Sequence, residues 1–374
     1  MSGLMDLLWS RRQAATVPSM DGVLRPNDAL DRARPLAHLP APDNLARLGP
    51  DLVFSSGADL WRLPAAAPDA APERLRTLEG AVTALAASPG GALAAGIDGL
   101  GVRIVGGPHD GTLIDRLGGR PARCPTAAAF LDEHVLYVCL GSTHNGAEDW
   151  QRDLMEMRAT GSVWRIDLRG GAASRLADGL AFPNGLLVDE RRVAVSESWA
   201  HRILRFDAET PRARPEIVLD DLPGYPGRLA PAADGGAWLA VFAPRSQLIE
   251  FVLRERAYCA RMLREIPRPL WIAPTLRAGT SFKEPMQGGA VKVHGIFKPW
   301  APTRSYGLAV RLDADLAPVA SLHSRADGRR HGIVSVCEWE GEVVCASRGD
   351  DVLCALPLSP TGSDFRTGSE DETP

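Results

Sequence analysis

Lysine is nearly missing from this chain. Lys283, Lys292 and Lys298 are the only three in 374 residues, so the other 39 of its 42 basic residues are arginine. A coding preference for Arg accounts for the scarcity, and 46 acidic residues bring the net charge to −4. That balance excludes the basic footprint nucleic-acid binding needs. Also missing is any run near the roughly 18 apolar residues of a transmembrane helix. The opening MSGLMDLLWSRRQ places its charges after a short apolar stretch broken by Asp6, the wrong order for a signal peptide. Cysteines are few and scattered (Cys124, Cys139, Cys259, Cys337, Cys345 and Cys354), with no CxxC or other ligand-like spacing, which predicts reduced, buried thiols in a cytoplasmic protein. GxSxG, HExxH and GxxxxGK[ST] are all absent, excluding the common serine-hydrolase, zinc-protease and P-loop signatures.

What is there is a repeat. Six times an extended apolar run enters a turn and a second run follows: LARLGPDLVFSS (45 to 56), TALAASPGGALAAG (83 to 96), AAAFLDEHVLYVCL (127 to 140), GLLVDERRVAVSES (185 to 198), RLAPAADGGAWLAV (228 to 241) and IVSVCEWEGEVVCAS (333 to 347). Turn-forming Asp, Gly or Pro between β-prone runs is the hairpin signature. Third and fourth strands follow most hairpins, so the chain reads as all-β, a six-bladed β-propeller. The last unit stops after its third strand, while DRARPLAHLP (31 to 40) precedes the first unit as a spare strand that closes the ring. Residues 26–359 are then one propeller, with 1–25 a loose tail and 360–374 a disordered one.

Hairpin alignment places Asp43, Thr83, Thr126, Asn184, Gly227 and Val334 where the six first strands begin, at one mouth of the channel. Two insertions, about 141–161 and about 243–305, fall in second-to-third-strand connections and should cover that mouth; loops beyond roughly 12 to 15 residues usually carry function. The first predicts a short helix opening near Asp149. The second contains an amphipathic helix over 248–266, with Leu248, Phe251, Val252, Met262 and Leu263 at near-helical spacing. It either packs on the rim of the disc or touches a membrane surface. The three lysines lie in the rest of this insertion; each is either a chance survivor or an ammonium retained to touch ligand, Lys283 and Lys292 being candidates for a substrate carboxylate.

The segment AFPNGLLVDERRVAVSESWAHRILRF (181 to 206), followed by DDLPGYPGRLAPAADGGAWLAV (220 to 241), resembles the strictosidine synthase-like propellers of the gluconolactonase, regucalcin and paraoxonase group. The resemblance extends over residues 30 to 358. It implies a hydrolase acting on a lactone or ester at the channel mouth, with calcium held by a Glu, two Asn and an Asp. Carried over, the Glu position is Asp43 and one Asn is Asn184, whereas Thr126 and Gly227 stand at the other two. Glu197, Glu148 or Asp149 could substitute. The base of the plant strictosidine synthases aligns with Val334, which leaves that condensation without its base.

Other candidates come from the residues themselves. Glu197, His201 and Arg202 share a turn at the mouth, either as a carboxylate tuning a general-base imidazole or as an ion pair holding the turn. His331, just before the last blade, either activates a water or plugs the channel. His144, four residues before Glu148, has ligand-like helical spacing. Three functions remain open: a lactone or ester hydrolase, a metal-free biosynthetic enzyme of condensation, cyclisation or isomerisation, and a non-catalytic binding propeller. In each the partner is a small molecule; the number of subunits stays open.

Overall fold

Six four-stranded antiparallel sheets stand around a central channel in this computed structural model, which describes residues 17–208, 214–277 and 304–358 together with the strand backbones 292–293 and 296–297. The innermost strands are Pro42–Leu48, Val82–Ala87, Pro125–Phe130, Pro183–Val188, Gly224–Pro231 and Ile333–Trp339, one for each blade in chain order. The chain is a six-bladed β-propeller. Arg34–His38 pairs antiparallel with Val352–Pro357 and supplies the sixth blade's outer strand, so the two ends of the domain meet in one sheet.

Between blades the packing is apolar. Val53, Leu60, Leu93 and Ala95 fill the seam between blades one and two, and Ala194, Ile203, Leu239 and Val310 that between four and five. All six cysteines are buried free thiols; burial presses the Cys337 and Cys354 pKa values up to about 12. Residues 17–25, expected in a loose tail, are docked instead. Met20 and Leu24 pack on the fifth blade, and Ser321 Oγ donates to the Val23 carbonyl at 2.6 Å. Residues 1–16 and 359–374 lie outside the described residues.

The register of the inner strands explains how they arm the mouth. In blade two Val82 faces Ile97 and Ala84 faces Gly96, so Thr83 is extra. Thr126, Asn184 and Val334 are skipped in the same way in blades three, four and six. In blade five Gly227 and Arg228 together oppose Ala240, and in blade one Asn44 and Leu45 oppose Phe54. A bulge breaks the alternation of the strand and re-aims a side chain. Repeated six times at one level, it turns a ring of residues into the channel.

Hydroxyls and amides then tie the first five blades in series. Thr83 Oγ1 donates to Pro125 O at 2.6 Å, Thr126 Oγ1 to Pro183 O at 2.5 Å, Ser196 Oγ to Gly227 O at 2.6 Å and Asn44 Nδ2 to Val82 O at 3.0 Å.

Both insertions sit where the alternation of strands demands. The first spans 141–160 and forms a 3-10 turn, Ala147–Asp149, running into α1, Trp150–Glu156. The second follows Ala237–Pro244 and opens with α2, Gln247–Arg254, and α3, Arg256–Glu265. The amphipathic segment is thus two helices broken at Glu255, whose ψ of 72° is not helical. Its buried face is Ile249, Val252, Leu253, Cys259 and Met262; Leu248 and Phe251, expected in that stripe, are exposed at 44% and 59%. Lys283 lies outside the described residues, as does the side chain of Lys292.

Candidate functional site

The residues at or beside the bulges and the two insertions line one cavity. Asp43, Thr83, Thr126, Asn184, Arg228 and Val334 come from the inner strands, Glu148 and Trp150 from the first insertion, and Leu276 from the second; Phe182, Phe242 and Arg348 complete the wall. Its volume is ≈ 50 Å³, enough for a few waters or a small polar ligand. The insertions are fastened to each other above it. Gln151 Nε2 donates to Pro274 O at 2.7 Å, and Arg268 donates to Gln151 Oε1 at 2.8 Å and to Glu148 O at 2.7 Å. Buried Asp153 anchors α1 by accepting from Trp199 Nε1 at 2.9 Å and Asn145 Nδ2 at 3.0 Å. Trp150, Phe182 and Phe242 form an aromatic wall on that side, backed by Trp199, on which Phe182 stacks at 4.5 Å.

Arg228 spans the axis. From blade five its Nε donates to Asn44 Oδ1 at 2.8 Å on blade one, its Nη2 to Thr83 O at 2.7 Å on blade two, and its Nη1 lies 3.5 Å from Val334 O on blade six. Nη2 is also 3.3 Å from Asp43 Oδ2, while Arg348 Nη1 approaches that same oxygen at 3.7 Å. Burial pushes the Arg228 pKa down and the Asp43 charge opposes that shift. Asp43 is itself buried, and its Oδ1 accepts the Asn44 backbone N–H at 2.6 Å. The amide of Asn184, 9% exposed, has no side-chain partner among the described residues and faces the cavity.

Calcium wants six to eight oxygens, the anionic ones supplying most of the affinity. Here the Thr126 hydroxyl is spent on Pro183 O, Gly227 has no side chain, and Asp43 is shared by two guanidiniums. The Arg228 cation stands between Asp43 and the other mouth residues. The residues present do not fit calcium, because the protein has placed a positive charge of its own among the donors.

Six expected candidates, His331, Glu197, Arg202, His201, His144 and Asp149, do not line this cavity. His331 is buried behind it: Nε2 donates to Arg325 O at 2.7 Å, which leaves Nδ1 to accept from Ser305 Oγ at 2.8 Å. Both nitrogens are engaged and burial pushes its pKa down, so it supports the start of the last blade rather than a water in the channel. Glu197 accepts from the Ala181 N–H at 2.7 Å and from Arg202 Nε at 2.6 Å, the ion pair that holds the turn. His201 packs on Tyr225 and lies 3.6 Å from Glu250 of α2; burial and the nearby Arg245 push its pKa down to about 3. His144 precedes the helical turn and lines a separate cavity with Thr160, Trp164 and Arg175, so its spacing to Glu148 is not helical. Asp149 pairs with Arg268. Arg228 and Arg348 were not foreseen. The one sequence signal for the first is its place beside Gly227; the second follows the last blade's second strand directly.

Fold and site together define a six-bladed β-propeller with a small, roofed, charged cavity at its mouth. No family model matches the chain. It is similar to the adipocyte plasma membrane-associated protein of Danio rerio, with 26% identity over 240 residues, covering 61% of this chain and 50% of that one. It is also similar to the Arabidopsis thaliana protein strictosidine synthase-like 10, with 27% identity over 168 residues, covering 43% and 45%. The chain thus spans about half the length of the curated relatives it matches. Among solved structures, a gluconolactonase from Xanthomonas campestris superposes with a TM-score of 0.56 at 13% identity, covering 92% of this chain and 95% of that one. Among the described residues no helix is long and apolar enough to cross a membrane.

Proposed function

We propose that the mouth hydrolyses a small lactone or ester without a metal ion. The supporting observation is Asp43, a buried carboxylate facing the cavity between two guanidiniums and opposite the Asn184 amide, which has no side-chain partner among the described residues. In this reading Asp43 Oδ2 takes a proton from a water as its oxygen attacks the acyl carbon. Arg228 Nη1 and the Asn184 amide donate to the carbonyl oxygen as it becomes anionic, in a site whose dipoles are already in place. Collapse breaks the acyl–oxygen bond, and Asp43 returns the proton to the leaving alkoxide, so one water is added and a lactone gives a hydroxy acid, an ester an acid and an alcohol.

A panel of lactones and aryl esters assayed in excess chelator tests this. Turnover that neither chelator nor added calcium changes is expected, and Asp43→Asn should lose about 10²- to 10⁴-fold in kcat/KM, the range of a general base. Activity that appears only with calcium, or none with any substrate, overturns the reading. The guanidinium across the axis favours one alternative, a pocket that binds a small molecule and does no chemistry. Saturable binding without turnover would establish it. The exposed Leu248, Phe251, Tyr258 and Ile266 beside the arginines of α2 and α3 further support contact of this rim with an anionic membrane surface.

A further inference from the structure

The mouth contains two cations and two anions of unequal standing. Asp43 and Arg228 are fixed: the carboxylate by the Asn44 N–H, the guanidinium by Asn44 and Thr83. Arg348, its side chain 23% exposed, reaches Asp43 at 3.7 Å and Glu148 at 3.5 Å with its guanidinium, its two ion-pair partners among the described residues. Both distances exceed the roughly 2.7–2.9 Å of a charge-assisted hydrogen bond, so the bond to Glu148 is long and the approach to Asp43 is an ion pair only. Glu148 belongs to the roof. Its backbone is pinned, the N–H 3.3 Å from Asp98 Oδ2 and the carbonyl accepting from Arg268. Its half-exposed side chain has Arg348 as its one ion-pair partner among the described residues, and its charge also reaches Arg228. A side-chain rotation alone frees the guanidinium.

Once Glu148 turns out, one buried carboxylate faces two guanidiniums, an excess of one positive charge in a cavity with little water to screen it. A monoanionic ligand restores neutrality there, whereas a neutral ligand that displaces Glu148 leaves the excess uncompensated. Calcium-type donor sets are anionic and collect a cation; this mouth carries its cation in covalent form and collects an anion. We propose that the cavity is a carboxylate-binding site in which Glu148 stands in for the ligand, and that the substrate of the proposed hydrolysis carries a carboxylate held by Arg348. The substrate half of this rests on the hydrolytic reading; the binding half does not.

Calorimetric titration in chelator separates the two. The probes are short hydroxycarboxylates of two to six carbons and, as neutral matches, their amides. Binding of acids but not amides is expected, weakened at least tenfold by Arg348→Gln and tightened about three- to tenfold by Glu148→Gln. These two side chains are partly exposed, so the variants should keep the fold, which thermal unfolding checks. If no acid binds, if acid and amide bind alike, or if both variants leave the acid affinity unchanged, the carboxylate site is overturned. Acids that bind with these dependences while no lactone or ester is turned over leave the site standing and remove only the hydrolysis. Where turnover is found, the ratio of kcat/KM for a carboxylate-bearing lactone to that for a neutral one should fall at least tenfold in Arg348→Gln.

Discussion

At the channel axis a guanidinium stands between Asp43 and backbone carbonyls of two blades, so removing it strands a buried carboxylate and those two carbonyls. Arg228→Met should cost about 3 kcal/mol of stability, the scale set by breaking one side of a buried pair, read from urea unfolding. A second residue-scale effect comes from histidines buried as neutral rings. His201 and His323 have pKa values pushed down to about 3, in both cases chiefly by burial. The unfolded chain takes up these protons below about pH 6.5 while the folded one refuses them until about pH 3. Stability is therefore complete above pH 6.5 and falls with acidification, by about 1.4 kcal/mol per pH unit for each ring. Urea titrations at pH 7, 6 and 5 should show this slope, and His323→Gln should remove one ring's share of it. At this scale the sequence was legible only where the repeat could be aligned. Asp43, Thr126, Asn184 and Val334 reach the mouth as expected because each occupies the same step of a hairpin. Arg228 escaped because an alignment asks what replaced a ligand, not what stands beside it. The histidines misled because nearness in sequence to the mouth gives no direction to a side chain, and both His331 and His201 turn inward.

A bulge in every inner strand is what converts six ordinary hairpins into a ring of aimed side chains. No composition signal marks it, since the residue that is skipped is Thr, Asn or Val as the blade requires. Thr126→Val tests the device: it keeps the shape, deletes the 2.5 Å bond to Pro183 O, and leaves a buried carbonyl without its donor. A loss of about 1–3 kcal/mol in urea unfolding is expected. The same scale holds the second insertion. Periodicity located its amphipathic segment but not the break at Glu255, which rotates the two helices and leaves Leu248 and Phe251 outside. Phe251→Asp removes the most exposed of these apolar side chains while adding a charge that anionic lipid repels. Sedimentation with vesicles containing phosphatidylserine should recover the wild type and at least threefold less of this variant. Equal recovery of both would remove the membrane contact.

Ring closure belongs to the molecule as a whole. The strand Arg34–His38 is contributed from one end of the domain to a blade whose other three strands come from the other, about 300 residues later in the chain. This was legible from the count of strands alone, because five complete units and one short of a strand leave a vacancy that only the spare segment fills. Physically the pairing does two things. It buries Ala37 against Leu353 and Ala355 in the core shared by blades one and six, and it covers the edge of Val352–Pro357, whose unpaired N–H and C=O groups would otherwise template another chain. The cavity depends on the same closure, since Asp43 lies five residues after the closing strand while Val334 and Arg348 lie in the blade that the strand completes. A chain beginning at Leu39 should therefore fail in two linked ways: an open edge that elutes as soluble oligomers in size-exclusion chromatography, and loss of carboxylate binding at the mouth. Supplying residues 17–38 as a synthetic peptide should restore the monomer and the binding together, because strand addition rebuilds the blade through main-chain hydrogen bonds. Recovery of one without the other would mean that the closing strand and the mouth are independent.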